Sequence, residues 1–282
     1  MNKIENEILI GERAKYASRN TTFINCTFKD GESPLKESRN IEVFNSNFNW
    51  KYPLWYCQDV IVDNTVWNET GRSGVWYTKR INITNSKILA PKQFRRCEDV
   101  LLDNVTIPNA LETMWSCTNV TIKNTKICGD YFGMNSSNIV LYNVNIDGNY
   151  CFDGGKNIVA KNCVFNSKDS FWNCENVLIE DSKLIGEYLA WNTKKIRLVR
   201  CEIESDQGLC YIDDLTLEDC SMHNTYLSFE LCSNIYAKIN TKIDSIKNPI
   251  SGKIICKGYD ELILEEKVIN PNNTIIEVEK DV

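Results

Sequence analysis

The segment Asn119-Val-Thr-Ile-Lys-Asn-Thr-Lys-Ile127 carries the pattern that decides the fold. A polar residue is followed by alternating apolar and polar residues, then by an asparagine, a small residue and a further apolar residue. The same form returns as Asn138-Ile-Val-Leu-Tyr-Asn-Val-Asn-Ile146 and as Asp99-Val-Leu-Leu-Asp-Asn-Val-Thr-Ile107. Repetition of one short pattern at a regular interval is typical of a solenoid.

The copies recur every 19 to 21 residues along most of the chain. The column of the second asparagine contains Asn25, Asn45, Asn64, Asn85, Asn104, Asn124, Asn143, Asn162, Asp181, Arg200 and Asp219. A looser copy follows at Asn234. We therefore predict about twelve coils, with this column at a corner where asparagine side chains hydrogen-bond from coil to coil as an asparagine ladder.

Apolar residues occupy fixed positions within each coil. Ile41 and Val43 represent two inward positions on one strand, because side chains two residues apart share a face. Phe48 represents a second inward side, and Leu54 a third. This predicts an all-β, single-stranded parallel β-helix. We expect one domain over residues 1–282, with an N-terminal cap at 1–19, repeat coils at 20–245 and a C-terminal closing segment at 246–282.

Composition excludes several classes of protein. The 282 residues carry a formal net charge of −6, which argues against nucleic acid as a partner. No apolar window is long enough to cross a membrane. A single histidine, His223, and the absence of C-x-x-C spacing argue against a metal site, and no cofactor is expected. Thirteen cysteines without an export signal predict a cytoplasmic protein with reduced thiols in small inward positions.

Several segments have a form of their own. They include Gly11-Glu-Arg-Ala14, Tyr52-Pro-Leu-Trp55, Cys128-Gly-Asp-Tyr-Phe132 and Gly186-Glu-Tyr-Leu-Ala-Trp-Asn192. In these the chain resembles an uncharacterised bacterial family of pectin-lyase-like, single-stranded right-handed β-helix proteins, a domain of unknown function. The resemblance and the crossover rule imply right-handed coils. Similar proteins are sometimes labelled hydrogenases, but the paired C-x-x-C motifs that would ligate nickel and iron are missing here.

One column is rich in tryptophan. It lies five residues before the first inward position and contains Trp55, Trp76, Trp115, Trp172 and Trp191, together with Arg95. The neighbouring column includes Arg96, Asn173 and Asn192. Aromatic rings interleaved with amides suit the apolar faces and hydroxyls of an oligosaccharide, so these residues are the predicted ligand-binding set. The alternative is an aromatic stack that packs along a corner, with Arg95 in a cation–π contact.

Catalysis on a sugar would need acidic groups on the same side. Asp153, Glu112 and Asp130 are the candidate carboxylates, and Arg95 could stabilise developing negative charge. The same charges also fit a solvated surface. Whether the protein is an enzyme is therefore left open.

A second surface feature favours a protein partner. Leu101, Val140, Val159 and Leu178 lie in a column that should point outward. An apolar outward patch is usually covered, either by a terminal segment or by a second chain, so a homodimer is a reasonable hypothesis. Two functions remain: a carbohydrate-binding or carbohydrate-modifying protein, and a non-enzymatic structural or interaction protein.

Overall fold

A computed structural model describes residues 1–279. The chain forms two compact units, Met1–Val144 and Asn145–Val282. Both consist of short β-strands joined by turns, and the described residues contain no α-helix and one 3₁₀ turn, Pro271–Asn273. The fold is the all-β parallel solenoid that the repeat predicts.

The first unit contains fifteen strands. They are β1 (Asn2–Glu5), β2 (Ile8–Ile10), β3 (Arg19–Ile24), β4 (Thr27–Lys29), β5 (Arg39–Phe44), β6 (Asn47–Phe48), β7 (Gln58–Asp63), β8 (Val66–Trp67), β9 (Lys79–Thr84), β10 (Lys87–Ile88), β11 (Glu98–Asp103), β12 (Thr106–Ile107), β13 (Thr118–Lys123), β14 (Lys126–Cys128) and β15 (Ser137–Tyr142). Odd-numbered strands stack in parallel as a first sheet, and even-numbered strands as a second. Ile41 aligns with Val60, and Val60 with Ile81, so equivalent residues of successive coils lie side by side.

Up to residue 279, the second unit contains thirteen strands. They are β16 (Asn145–Asp147), β17 (Lys156–Lys161), β18 (Val164–Asn166), β19 (Glu175–Glu180), β20 (Lys183–Ile185), β21 (Lys194–Val199), β22 (Glu202–Glu204), β23 (Asp213–His223), β24 (Ser233–Ile239), β25 (Lys242–Lys247), β26 (Gly252–Cys256), β27 (Gly258–Ile263) and β28 (Thr274–Val278). The first sheet here runs β17, β19, β21, β23, β24, β26 and β28. The long strand β23 also pairs with β22 in the second sheet. Strands β25 and β27 pair separately.

The structure has about fifteen turns, somewhat more than the twelve predicted. The first sheet contains eight strands in the first unit and seven in the second. Strand β1 lies in the segment predicted as a cap, and β26 and β28 lie in the predicted closing segment. The repeat is hard to read there because the interval changes: Gly252 aligns with Ile235 and Thr274 with Gly252, which are spacings of 17 and 22 residues.

The predicted inward columns are buried. Phe48 and Trp67, for example, are fully buried in the first unit, and Phe165 is fully buried in the second. The third side is also buried but consists mainly of turns rather than strands. Most of its inward residues adopt left-handed backbone, as at Phe94 (φ 53°) and Phe171 (φ 58°), whereas Leu54 does not. The apolar column was predictable, whereas this backbone conformation was not, because aromatic residues rarely adopt it.

Asparagines at the corners bond from coil to coil. In the predicted column, Nδ2 of one residue donates to Oδ1 of its neighbour in the pairs Asn64 to Asn45, Asn104 to Asn85 and Asn143 to Asn124, each at 2.8 Å. A second column, just before the first inward position, forms similar bonds, including Asn40 to Asn20 at 2.7 Å and Asn176 to Asn157 at 3.0 Å. Both columns have left-handed backbone, which asparagine tolerates.

The cysteines are packing residues. All are buried except Cys128, and no disulfide forms among the described residues. The Cys57 thiol donates to the carbonyl oxygen of Leu35 at 3.1 Å. Burial raises the pKa of Cys57 and of Cys151 to about 12. Such thiols stay protonated at neutral pH and are poor nucleophiles, which agrees with the small inward positions predicted for them.

Candidate functional site

In the first unit the tryptophan column forms a continuous stack. The rings of Trp55 and Trp76 lie 5.0 Å apart between centroids at an interplanar angle of 7°. The Arg95 guanidinium carbon lies 4.7 Å from the centroids of Trp76 and Trp115, so it is sandwiched between them. Tyr52 packs against Trp55 at 4.5 Å. The cation–π contact expected under the packing alternative is therefore present.

Stacking changes what these tryptophans can offer a ligand. The faces of Trp55 and Trp76 contact one another, and both rings are half-buried. Their Nε1–H groups are also occupied: Trp55 donates to the Ser73 carbonyl at 2.6 Å and Trp76 to the Lys92 carbonyl at 3.0 Å. A sugar ring that stacks on an indole face would have to displace a neighbouring side chain.

A second aromatic pair lies outside this stack. Tyr56 and Tyr77 stack with centroids 4.8 Å apart and an interplanar angle of 6°. Tyr56 is 48% exposed, and both residues have left-handed backbone. Lys36 lies over the ring of Tyr56 at 5.6 Å, and Arg96 lies over Tyr77 at 6.0 Å. We call Tyr56 and Tyr77 the aromatic corner.

A groove of 510 Å³ runs beside the aromatic corner. On its other side are residues that begin strands β3, β5, β7 and β9 of the first sheet. The lining consists of Arg19, Lys36, Glu37, Arg39, Tyr56, Cys57, Gln58, Tyr77 and Lys79. Four of these side chains are basic and one is acidic. Arg19, Arg39 and Lys79 form a basic wall that was not predicted, although they share one position in the repeat, two residues before the first inward residue.

The same corner of the second unit is built differently. Trp172 and Trp191 lie 5.2 Å apart at an angle of 45°, and the Trp172 Nε1–H donates to the Tyr188 carbonyl at 2.7 Å. In place of stacked tyrosines, Asn192 donates to Asn173 at 2.8 Å. The predicted ligand-binding amides of this unit therefore bond to each other within the corner.

Two candidate catalytic residues of the first unit, Glu112 and Arg95, lie within ion-pair distance of each other. Glu112 Oε2 lies 3.1 Å from the Lys92 ammonium and 3.8 Å from the Arg95 guanidinium. Asp130 is half-buried, and its carbonyl accepts the backbone N–H of Glu112 at 3.0 Å. Arg95 thus contacts two aromatic rings and a carboxylate. These contacts fix the side chain in place, and they leave little of its positive charge to act on a ligand.

Two carboxyl groups of the second unit have different surroundings. The half-buried Asp153 accepts a hydrogen bond from Nδ2 of Asn173 at 2.9 Å. Asp169 is 7% exposed, and burial raises the pKa of its carboxyl. A hydrogen bond from Tyr150 opposes that rise in pKa. Asp169 is therefore the described carboxyl in this region whose acid form is favoured by its surroundings.

The apolar outward residues remain accessible. In the first unit Val140 is 44% exposed and Leu101 is half-buried. In the second unit Val159 is 40% exposed beside Leu178, its partner in the next strand. Strand β28 adds to the first sheet next to β26. A terminal segment and a second chain were the two predicted covers of this apolar patch. The C-terminal strand β28 extends the sheet instead, so the described C-terminal segment does not cover Val140 or Val159.

No helix in residues 1–279 is long and apolar enough to cross a membrane. In the same residues, no group of three or more His, Cys, Asp or Glu side chains is placed to hold a metal ion.

These features define a parallel β-solenoid with an aromatic and basic groove on its first unit. The family model described as a protein of unknown function, DUF3737, matches residues 2–277, and the chain belongs to this family. No curated protein matches the sequence.

Several solved structures share the fold at low identity. The surface adhesin PfbA of Streptococcus pneumoniae is 12% identical, with a TM-score of 0.47 over 87% of this chain and 81% of the adhesin chain. An alginate lyase from Paenibacillus is 8% identical, with a TM-score of 0.35 over 83% of this chain and 99% of the lyase chain. The tailspike of E. coli bacteriophage HK620, solved with a pentasaccharide, is 7% identical, with a TM-score of 0.41 over 89% and 68%. Similarity at this level carries no argument about function.

Proposed function

We propose that the protein binds a carbohydrate at the aromatic corner and its groove. The observation that carries the proposal is the juxtaposition of two stacked tyrosine rings, the exposed Tyr56 and the half-buried Tyr77, with an open, polar groove of 510 Å³. Binding sites for small molecules are concave and combine aromatic surface with a few polar groups. This assigns the ligand to Tyr56 and Tyr77 rather than to the faces of the tryptophans.

The chemistry of the corner suits a sugar better than an apolar ligand. A phenol presents an apolar ring and a hydroxyl, which match the C–H and O–H groups of a pyranose. The opposite wall adds the Gln58 amide and several cationic groups. Tyr56 is 48% exposed and Tyr77 stacks on it from the next coil, so the sugar would lie along the corner and bridge successive coils.

The test uses a glycan array with three forms of the full chain. Tyr56→Asn combined with Tyr77→Asn removes the rings but keeps a residue that tolerates left-handed backbone. Tyr211→Asn is the matched control, because Tyr211 is 45% exposed and also has left-handed backbone at the equivalent corner of the second unit. We expect the wild type and the control to retain one glycan class that the double variant loses. Binding of no glycan by folded wild type, or equal binding by the double variant, would overturn the proposal.

A second candidate function rests on the exposed valines. We propose, as the alternative, that Val140 or Val159 contributes to an interface with a second copy of the chain. Light scattering of wild type, Val140→Asp and Val159→Asp tests it. A dimer that one of these changes converts to a monomer supports the alternative, and a monomeric wild type at high concentration excludes it.

A further inference from the structure

The groove beside the aromatic corner has an excess of positive charge. Arg19, Lys36, Arg39 and Lys79 line it, and Glu37 is the acidic member of the lining. The Glu37 carboxylate accepts a hydrogen bond from the Tyr16 hydroxyl at 2.6 Å. The whole chain is acidic, so this local excess runs against its overall charge.

The four basic side chains differ in whether they already have hydrogen-bond or ion-pair partners within the protein. The Arg19 Nη1 atom donates to the carbonyl oxygens of Ala17, Ser18 and Glu37 at 2.7 to 3.0 Å. Lys79 forms an ion pair with Glu98 at 2.8 Å. These contacts hold Arg19 and Lys79 in place at the two ends of the basic wall.

Arg39 is exposed like Arg19, but its guanidinium has no such contacts in the described chain. Within residues 1–279 it forms no side-chain hydrogen bond and no ion pair within 4.0 Å. Its charge contributes to lowering the pKa of Asp59, but the Asp59 carboxylate is bound at 2.6 and 3.1 Å by Arg80. The donor fork of Arg39 is therefore available for a carboxylate, which it can bind through two parallel hydrogen bonds.

The strand register shows that this arrangement costs stability. Arg19 lies directly opposite Arg39, Arg39 opposite Gln58, and Gln58 opposite Lys79. Like charges directly opposite each other on neighbouring strands are destabilising.

The second unit resolves the same column by alternating charge. Lys156 aligns with Glu175, Glu175 with Lys194, and Lys194 with Asp213. Lys156 and Glu175 form an ion pair at 3.0 Å. Since the repeat can accommodate alternating charge, unpaired cations beside an open groove are more readily explained by a ligand than by the fold.

We infer that the groove binds an acidic oligosaccharide, with Arg39 receiving a carboxylate of the sugar and Tyr56 and Tyr77 contacting its ring. The inference rests on the proposed function and names its ligand class. Lys36 and Lys79 flank Arg39 and favour a further negative group along the chain. Strands of one sheet are about 4.8 Å apart, close to the length of one sugar unit, so successive coils can contact successive sugars.

The experiment compares an oligouronate with its methyl ester by isothermal titration calorimetry on the full chain. The ester keeps the sugar and removes the negative charge. We expect the acid to bind at least about tenfold more tightly than the ester, and the difference to shrink at high salt. Arg39→Gln should weaken binding of the acid between about 10-fold and 100-fold while leaving binding of the ester unchanged. Lys194→Gln, in the same column of the second unit, should change neither.

The outcomes separate this inference from the proposed function. Equal binding of acid and ester, with Arg39→Gln behaving like wild type, overturns the acidic ligand but leaves carbohydrate binding intact. Binding of neither compound, together with an empty glycan array, overturns both. A sulfated oligosaccharide without carboxylates, such as a carrageenan hexasaccharide, that binds more tightly than the oligouronate would overturn the assignment of a carboxylate to Arg39. A single-stranded oligonucleotide that binds more tightly than the oligouronate and depends on Arg39 would also overturn the inference. Because Arg39 is exposed, an unchanged melting curve of Arg39→Gln shows that the fold is retained.

Discussion

The corresponding corners of the two units use the same repeat for different ends. In the first unit the corner contains stacked Tyr56 and Tyr77 beside a basic wall. In the second unit the corner contains Asn173 and Asn192 joined by a hydrogen bond, beside a wall of alternating charge. The second arrangement satisfies its own polar groups, whereas the first leaves Tyr56 exposed and the Arg39 guanidinium unpaired within residues 1–279. A solenoid can therefore carry a site on a few coils without changing its core.

The largest expected effect is a loss of folding stability at high pH, and buried thiols cause it in both units. Burial raises the pKa of Cys57, Cys151 and Cys210 from 9.0 to about 12. A raised pKa means that the fold binds the proton more tightly than the unfolded chain does. The contribution of each buried thiol to the free energy of unfolding is therefore fully present below about pH 9. It falls by about 1.4 kcal/mol per pH unit as the pH rises towards 12.

Urea unfolding between pH 8 and 11 measures this loss. Cys57→Thr should reduce the slope of the free energy of unfolding against pH by the contribution of one thiol. Threonine should fit this position, since Thr78 occupies it in the next coil and accepts a hydrogen bond from the backbone N–H of residue 57. Cys128→Ser is the control, because that thiol is exposed. A slope that does not change in Cys57→Thr would contradict the assignment.

A smaller effect tests whether the tryptophan stack is structural. Arg95→Ala removes two cation–π contacts and the packing of the side-chain stem, so we expect a loss of about 2 kcal/mol in the free energy of unfolding. Arg96→Ala, which loses one distant contact, should cost less than about 0.5 kcal/mol. Equal costs in denaturant titrations would show that the stack does not hold Arg95 as described.

Exchange of the two corners tests the comparison more closely. Tyr56→Asn with Tyr77→Asn should change the free energy of unfolding by less than about 1 kcal/mol, because lost stacking is offset by residues better suited to left-handed backbone. The reverse change Asn173→Tyr should destabilise by about 1 kcal/mol, since it removes hydrogen bonds to Asn192 and Asp153. Thermal melting in both directions measures the asymmetry, and a stabilising Asn173→Tyr would contradict it.

The smallest effect distinguishes the two charge columns. Arg39→Gln relieves repulsion from Arg19 and should leave the melting temperature unchanged or slightly higher. Lys156→Gln removes an exposed ion pair and should lower the melting temperature by about 1 °C or less. Opposite signs at low salt that converge at high salt are the expected result. A clear fall with Arg39→Gln would mean that this residue serves the fold.

The sequence predicted the fold more completely than the site. Ile41, Val43 and Phe48 follow a period that any strand must obey, so their inward direction was readable. The turns at Phe94 and Phe171 were not, because left-handed backbone at aromatic residues is imposed by neighbouring coils. The tryptophan column was found, but sequence alone does not show whether ring faces meet each other or solvent.

The basic wall could have been predicted from the repeat, although it was not. Arg19, Arg39 and Lys79 occupy one position of the repeat frame, and their register follows from the spacing of the inward columns. What the frame does not show is which cation is already paired. That depends on side-chain conformations, as the contrast between Lys79 with Glu98 and the unpaired Arg39 illustrates.

Hydrogen–deuterium exchange of the full chain, with and without a saturating oligouronate, tests the central claim most directly. The account predicts slower exchange in peptides covering residues 36–58 and unchanged exchange in peptides covering 192–213, the matched corner of the second unit. Slower exchange at 192–213, or no change in either region while calorimetry reports binding, would contradict the placement of the site at the aromatic corner.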